Sequence, residues 1–248
     1  MSAFLTLWRK ELTTYFLSPI AYIVMIFFLV VMGAIFSLLV SVLAEGPAGV
    51  TVMNLLFGSP FFWMTMLVLI PLLTMRLFSE EKRSGTIETL MTAPVSDTAV
   101  VLAKFAGALS FYIFMWAPTA LYIFILYYFS ADMAPPDLGP MAGGYLGAIL
   151  IGMFYLSIGL FCSALTSNQI ISAIITFAVM IVLFLTGLLD YVANAEWAQT
   201  LSAHLSSYSH MLEFSRGTLD SRPILYYLSG TAVMLFATVK ILEARNWK

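Results

Sequence analysis

Six long apolar runs separated by short polar segments dominate the pattern of hydrophobic and polar positions along this chain. A helix that crosses a bilayer needs about 20 apolar residues, and each run is close to that length or longer. The pattern therefore predicts an all-α, polytopic membrane protein with six transmembrane helices, folded as a single transmembrane domain over residues 1–248. The predicted spans are about 20–43, 57–75, 99–129, 142–165, 170–189 and 224–242.

Two of these spans contain a lysine near one end, Lys104 in the third and Lys240 in the sixth. A long cationic side chain can reach the headgroups from a turn or two inside the membrane, so we expect both lysines to snorkel to the interface. The third span also contains Pro118, where we expect a kink because proline removes a helical hydrogen bond.

The segment before the first span, residues 1–19, has a helical pattern of its own. Ser18 and Pro19 end that pattern. It predicts an amphipathic helix lying in the membrane interface, and a plain positively charged flank that sets topology is the open alternative. The apolar face contains Phe4, Leu5, Trp8, Leu12, Tyr15 and Phe16, and the polar face contains Thr6, Arg9, Lys10, Thr13 and Thr14.

Residues 192–222 form the longest loop predicted outside the cell. An apolar stripe in this loop predicts one or two short helices on the outer leaflet before the last span, with Gly217 as a stop signal. The stripe consists of Trp197, Leu201, Leu205, Tyr208 and Leu212.

A short polar segment joins the second and third spans. Charged residues at 80–83 continue the second span, Gly85 ends that helix, and Thr86 can cap a new one. Pro94 then ends the new helix after about two turns. Ile87, Leu90 and Met91 share one face of it, which favours docking of a partner over a solvated structural loop.

Composition supports the membrane interpretation. The chain is 61% hydrophobic and 10% charged, whereas soluble domains are about one quarter charged. The formal net charge of −2 argues against nucleic-acid binding. Of the 11 Lys and Arg residues, only Arg216 and Arg222 fall outside when both termini are placed in the cytoplasm, as the positive-inside rule favours.

Candidate chemistry is sparse. His204 and His210 are six residues apart and suit interfacial polar roles better than metal ligation. No lysine follows a glycine, so no phosphate-binding P-loop is present and ATP would be hydrolysed on another chain. The middle of each span contains no Asp, Glu or His, which argues against ion-coupled transport.

Several segments together resemble one family. The run EEKRSGTIETLMTAPVS at residues 80–96 resembles the cytoplasmic motif of ABC-2-type transporter permeases. Residues 10–22 are similar to the start of the gliding-motility branch of that family, and residues 163–169 and 214–220 resemble its later segments. The resemblance covers nearly the whole chain.

This resemblance implies a permease subunit, without catalytic, cofactor or metal sites of its own, in the bacterial inner membrane. Two permeases would pair, as copies or paralogues, above cytoplasmic ATPase subunits that bind ATP and Mg. A membrane-anchored extracytoplasmic protein often accompanies this branch. The coupling helix would contact the ATPase through Glu80, Glu81, Arg83, Gly85, Thr86, Ile87, Glu88, Leu90, Met91 and Pro94.

The resemblance also implies two further elements. Ser167, Asn168 and Gln169 would form a second, smaller cytoplasmic contact, and Trp8, Arg9 and Lys10 belong to the interfacial elbow helix. The expected function is to couple ATP hydrolysis to export or to movement of an extracytoplasmic partner. Two alternatives stay open: an ATPase-independent secondary transporter or channel, and a mechanotransmitting scaffold that transports nothing.

Overall fold

The computed structural model of the protein describes residues 3–44, 51–87, 95–129, 137–188 and 204–245. None of the described residues forms a strand. Helices satisfy every backbone hydrogen bond within one segment, which suits them to lipid. In chain order the helices are α1 (Ala3–Leu17), α2 (Pro19–Ala44), α3 (Val52–Gly58), α4 (Pro60–Thr74), α5 (Ser79–Ser84), α6 (Asp97–Trp116), α7 (Leu121–Phe129), α8 (Leu138–Leu165), α9 (Gln169–Leu185), α10 (Ser207–Ser215) and α11 (Ser221–Arg245).

Helix α8 lies at the centre of the bundle. It packs against α4, α6, α9, α10 and α11, and 78% of its most apolar window is buried. Tyr112 of α6 donates a hydrogen bond from its hydroxyl to the Ala148 carbonyl of α8 at 2.8 Å. By contrast only 28% and 22% of the most apolar stretches of α2 and α11 are buried, as expected for helices at the lipid-facing rim.

Among the described residues, five helical stretches are long and apolar enough to cross a membrane, so the protein is a multi-pass membrane protein. The stretches are Pro19–Val42, Pro60–Ser84, Asp97–Tyr128, Leu138–Leu165 and Ser221–Ala244. The span predicted at 170–189 corresponds to α9, which is shorter, with 17 residues. A 3-10 helix, Thr186–Leu188, continues it.

Two predicted spans differ from the structure. The second was expected to run from residue 57, but Phe57 belongs to the separate helix α3. Ser59 caps the next helix by accepting a hydrogen bond from the Phe62 N–H, and Pro60 fills the first helical position. This pair starts a new helix because serine satisfies a free N–H and proline has none to satisfy.

The third predicted span, 99–129, is interrupted at the expected proline. Ala117–Ala120, which includes Pro118, forms a 3-10 helix between α6 and α7. Thr119 next to this proline accepts a hydrogen bond at its carbonyl from the Tyr145 hydroxyl at 2.7 Å. A carbonyl released from the helical pattern is therefore satisfied by α8.

The alternating helices divide the bundle into two ends. The charged end, as we call it, contains α1, α5, the start of α6 and the turn between α8 and α9. The opposite end contains α3, α10 and the start of α8. There Gly217 has φ +81° directly after α10, at the helix stop that the sequence predicts. Trp197 and Leu201 of the predicted apolar stripe lie outside the described residues.

Candidate functional site

Four charged side chains from three helices meet at the charged end. Lys104 of α6 is within 3.0 Å of a Glu11 carboxylate oxygen and within 2.8 Å of one from Glu81. Lys10 of α1 lies 3.8 Å from the same Glu81 oxygen. The side chain of Lys104 is only 3% exposed, and those of Glu11 and Glu81 are 10% and 17% exposed. We call these four residues the charge cluster; its formal charges cancel.

Local patterning explains how the charge cluster forms. Glu11 follows Trp8 by three residues and precedes Tyr15 by four, so it lies on the face of α1 that packs on α6. Gly107 of α6 permits the close approach, since a Cβ there would come within 2.7 Å of Glu11 Cβ. Burying a lysine is costly in a dry interior, and two carboxylates offset that cost here.

The side chain of Lys104 points into the bundle. It is 2% exposed, and both of its partners are largely buried, so it does not extend to the surface of the chain. Its position relative to a bilayer stays a prediction. Lys240 is 55% exposed in its side chain and pairs with Glu243 at 2.6 Å. An exposed pair of this kind contributes little to stability, whereas the buried one fixes three helices relative to each other.

Helix α5 is also attached to the central helix. The backbone N–H groups of Phe78 and Ser79 donate hydrogen bonds to Ser163 Oγ at 3.0 and 3.1 Å. Lys82 Nζ donates to the Ala164 carbonyl at the end of α8. Because those N–H groups lie at the start of α5, Ser163 acts as a cap supplied by another helix. α5 is thus held by α1, α6 and α8 together.

Helix α1 packs along α6 instead of lying apart from the bundle. The Trp8 indole N–H donates to Ser110 Oγ at 3.2 Å, and the Tyr15 ring stacks on Phe111 with centroids 5.0 Å apart. The Tyr15 hydroxyl donates to the Leu73 carbonyl at 2.8 Å. Burial, and to a lesser degree the Glu11 charge, raises the pKa of Tyr15, so this hydroxyl stays protonated as a donor.

The residues of the predicted polar face of α1 are exposed in the structure. Arg9 and Lys10, expected at the interfacial surface, are both exposed, while Trp8 is half-buried. The position of this helix relative to a bilayer stays a prediction. The exposed polar residues of α1 are Thr6, Arg9, Lys10, Thr13 and Thr14.

The residues predicted to contact an ATPase divide into three groups. Glu88, Leu90, Met91 and Pro94 lie outside the described residues. Glu80, Arg83, Gly85 and Thr86, which precede them in the sequence, are exposed. Ile87 and Glu81 face inward: Ile87 is 2% exposed within this chain, and Glu81 belongs to the charge cluster.

The predicted helix break at Gly85 is present, with φ +72°, a conformation that glycine adopts without strain. Thr86 and Ile87 after it are helical. The turn predicted as a second contact lies close by, since α5 packs against the ends of both α8 and α9. In that turn Asn168 caps α9 by accepting from the Ile170 N–H at 2.9 Å, and Ser167 and Gln169 flank it.

Sequence reasoning missed Glu11 and the role of Lys104. The available signal was a single acid on the apolar face of α1 and a single base within an apolar span. Each is unfavourable alone, so the two predict a pairing. Which acid pairs with which base is decided by tertiary packing, because Glu11 and Lys104 are 93 residues apart in the sequence.

Metal chemistry finds no support in the part of the chain that the structure describes, where no group of three or more His, Cys, Asp or Glu could hold an ion. His210 is buried at the opposite end, and its Nδ1 lies 2.9 Å from the Tyr227 hydroxyl. It packs α10 against α11, and its depth relative to a bilayer stays a prediction.

An all-helical bundle with several helices long and apolar enough to cross a membrane is a multi-pass membrane protein by class. Comparison with protein families then identifies the chain: residues 2–219 match the ABC-2 type transporter family, and the chain belongs to it. It is a permease subunit of an ABC-type transporter. No curated protein matches it.

Proposed function

We propose that this permease couples ATP hydrolysis on separate cytoplasmic ATPase subunits to export, or to movement of an extracytoplasmic partner. The chain carries no P-loop, so ATP and Mg would be bound by the partner. The observation that supports the coupling most strongly is the attachment of α5 to three helices, directly before Gly85 and the predicted coupling helix at 86–93.

The mechanism follows from that attachment. An ATPase pressing on residues 86–93 would move α5, which precedes them in the chain. The Glu81–Lys104 pair would carry the displacement to α6, and Glu11 would carry it to α1. The hydrogen bonds to Ser163 would carry it to α8. Exposed Arg83 would meet the partner first.

The proposal includes six spans with both termini in the cytoplasm of a bacterial inner membrane. Helix α9 has 17 residues and is followed by three in a 3-10 helix. At about 1.5 Å and 2.0 Å per residue, these cover about 30 Å, the thickness of the hydrocarbon core. Lys10, Arg76, Lys82 and Lys104 gather at the charged end, which supports its cytoplasmic placement.

We propose further that the permease pairs with a second copy or a paralogue, as its family resemblance implies, and that it belongs to the gliding-motility branch. Exposed apolar side chains on α2, α9 and α11 supply surface for lipid and for such a partner. A membrane-anchored extracytoplasmic protein would contact the opposite end.

The experiment is a copurification followed by an activity assay. The chain is isolated in mild detergent with the proteins that accompany it, and ATPase turnover is measured in Leu90→Pro and Leu90→Ala complexes. Proline at this position should abolish permease-dependent stimulation of turnover, because it would break the predicted coupling helix. Alanine removes only the apolar contact and should reduce stimulation partially. Normal stimulation in the proline complex, with unchanged thermal unfolding, would contradict the proposal.

A further inference from the structure

A cavity of about 520 Å³ lies at the charged end, between α1, α2, α4 and α5. Its lining is amphipathic. Its charged lining groups include Arg76, Glu80 and the charge cluster. Its apolar lining includes Ile20, Ala21, Val24, Leu72 and Leu77. A ligand that fills it must therefore combine a polar head with a hydrocarbon part.

Two charged groups in this lining, Arg76 and Glu80, form no ion pair with any other residue that the structure describes. Within the same part of the chain, the buried Arg76 Nε has no hydrogen-bond acceptor and the buried Glu81 Oε2 has no donor. Leaving the buried Arg76 Nε and Glu81 Oε2 without hydrogen-bond partners is costly, whereas the exposed Glu80 carboxylate is hydrated. A ligand that offers an acceptor to Arg76 and a donor to Glu81 removes that cost.

We propose that the cavity binds a zwitterionic phospholipid with a primary ammonium, such as phosphatidylethanolamine, from the leaflet next to the charged end. Arg76 binds the headgroup phosphate, because a guanidinium matches phosphate oxygens in a planar, two-pronged geometry. Glu80 and Glu81 accept hydrogen bonds from the ammonium. This lipid is a structural ligand, and the proposal is independent of coupling to an ATPase.

Charge balance favours a zwitterion over an anion. The charged residues that line the cavity are three cations and three anions: Lys10, Arg76, Lys104, Glu11, Glu80 and Glu81. An anionic lipid or a free phosphate would add an unmatched negative charge beside carboxylates already crowded around Lys104. A headgroup with one charge of each sign supplies a counter-ion to both Arg76 and Glu80, and the net charge of the cavity stays unchanged.

The exposed apolar face of α2 next to the cavity offers a path for the acyl chains of the lipid. The cavity wall includes the first turns of α2 at Ile20, Ala21 and Val24. The neighbouring face of this helix is exposed and apolar at Ile23, Ile26, Phe27 and Val30. Acyl chains that leave the cavity along α2 would therefore contact apolar side chains over several helical turns, as a membrane lipid requires.

The test is lipid retention by the purified chain, measured by native mass spectrometry in detergent with dioleoyl phosphatidylethanolamine, phosphatidylcholine or phosphatidylglycerol added. We expect about tenfold tighter retention of phosphatidylethanolamine than of either other lipid. Phosphatidylcholine has no N–H to donate to a carboxylate, and one charge-assisted hydrogen bond is worth about a factor of ten. Equal retention of the three lipids, preference for phosphatidylglycerol, or no retained lipid would overturn the proposal.

Variants locate the site. Arg76→Gln should remove the tenfold preference. Arg76→Lys should keep part of it, because lysine retains the positive charge but lacks the two-pronged guanidinium. Arg9→Gln is the matched control: Arg9 is an exposed arginine of the neighbouring helix that does not line the cavity, and its loss should leave retention unchanged. An equal effect of both arginine-to-glutamine changes would indicate a general attraction to charge and would contradict lipid binding at this cavity.

A displacement experiment tests whether the ligand comes from the membrane. Displacement of the lipid by equimolar free phosphoethanolamine would contradict the membrane as its source. Should Arg76→Gln fail to fold, the comparison of lipids on the unaltered chain still decides.

Discussion

The charged end and the opposite end of the bundle hold their short helices in different ways. At the charged end, Glu81 of α5 is held by ion pairs, above all by Lys104 at 2.8 Å. At the opposite end, α10 is held by close packing. Gly143 and Gly147 of α8 face Phe214, and a Cβ on Gly147 would come within 2.9 Å of that ring.

The difference lies in how each contact responds to movement. The attraction between charges falls as the inverse of distance, so an ion pair persists when its partners shift by an ångström. A packing contact loses a quarter to a half of its energy over a gap of about 0.5–1 Å. The ion-pair contact at the charged end therefore tolerates a small displacement with less loss of energy than the packing contact at the opposite end. Three substitutions test this contrast.

Lys104→Met should have the largest effect. It leaves the carboxylates of Glu11 and Glu81 buried beside each other without their shared cation, which costs about 3–5 kcal/mol. Chemical denaturation in detergent micelles measures the free energy of unfolding. Lys240→Met is the matched control, since that exposed lysine pairs only on the surface and should cost less than about 1 kcal/mol. Similar losses of unfolding free energy in both variants would show that Lys104 stabilises the fold no more than an exposed lysine does.

Gly143→Ala should have an intermediate effect at the opposite end. The new methyl group would collide with the Phe214 carbonyl oxygen, a backbone atom that cannot rotate away, so the cost should be about 1–3 kcal/mol. Gly33→Ala serves as the comparison, because its nearest neighbour is the Tyr122 hydroxyl at 3.5 Å. That change should be neutral or slightly stabilising in a helix. Equal unfolding temperatures for the two variants would contradict tight packing between α8 and α10.

Glu11→Gln should have the smallest effect. Lys104 keeps Glu81 as its counter-ion, and the new amide oxygen can still accept a hydrogen bond from the lysine. Exchanging a charged acceptor for a neutral one should cost about 1 kcal/mol in the free energy of unfolding. A loss as large as that of Lys104→Met would mean that Glu11, and not the lysine, organises the cluster.

Much of the fold could be predicted from hydrophobic pattern alone. The ends of α2, α8 and α11 lie within four residues of the predicted spans, because an apolar run of membrane length allows few other structures. The break at Ser59 and Pro60 was also readable, as a serine cap followed by proline. It was missed because the hydropathy of the run continues through it.

The candidate site was less predictable. Gly85 and the exposed Glu80 and Arg83 carry local signals that indicated where the second long helix ends. The inward positions of Ile87 and Glu81 depend on neighbours that are distant in the sequence. Local periodicity gives a residue's face on its own helix, but which helix covers that face is decided by packing.

The most direct test of the central claim measures whether α1 and α5 are held as one unit by Lys104. Spin labels at Thr13→Cys and Ser84→Cys, both exposed positions, report the distance between the two helices. The background is Cys162→Ala, because Cys162 is the only native cysteine. Pulsed electron resonance should give a narrow distance distribution in the otherwise unaltered chain and a broad one when Lys104→Met is added. A distribution that is equally narrow with and without the lysine would contradict the account.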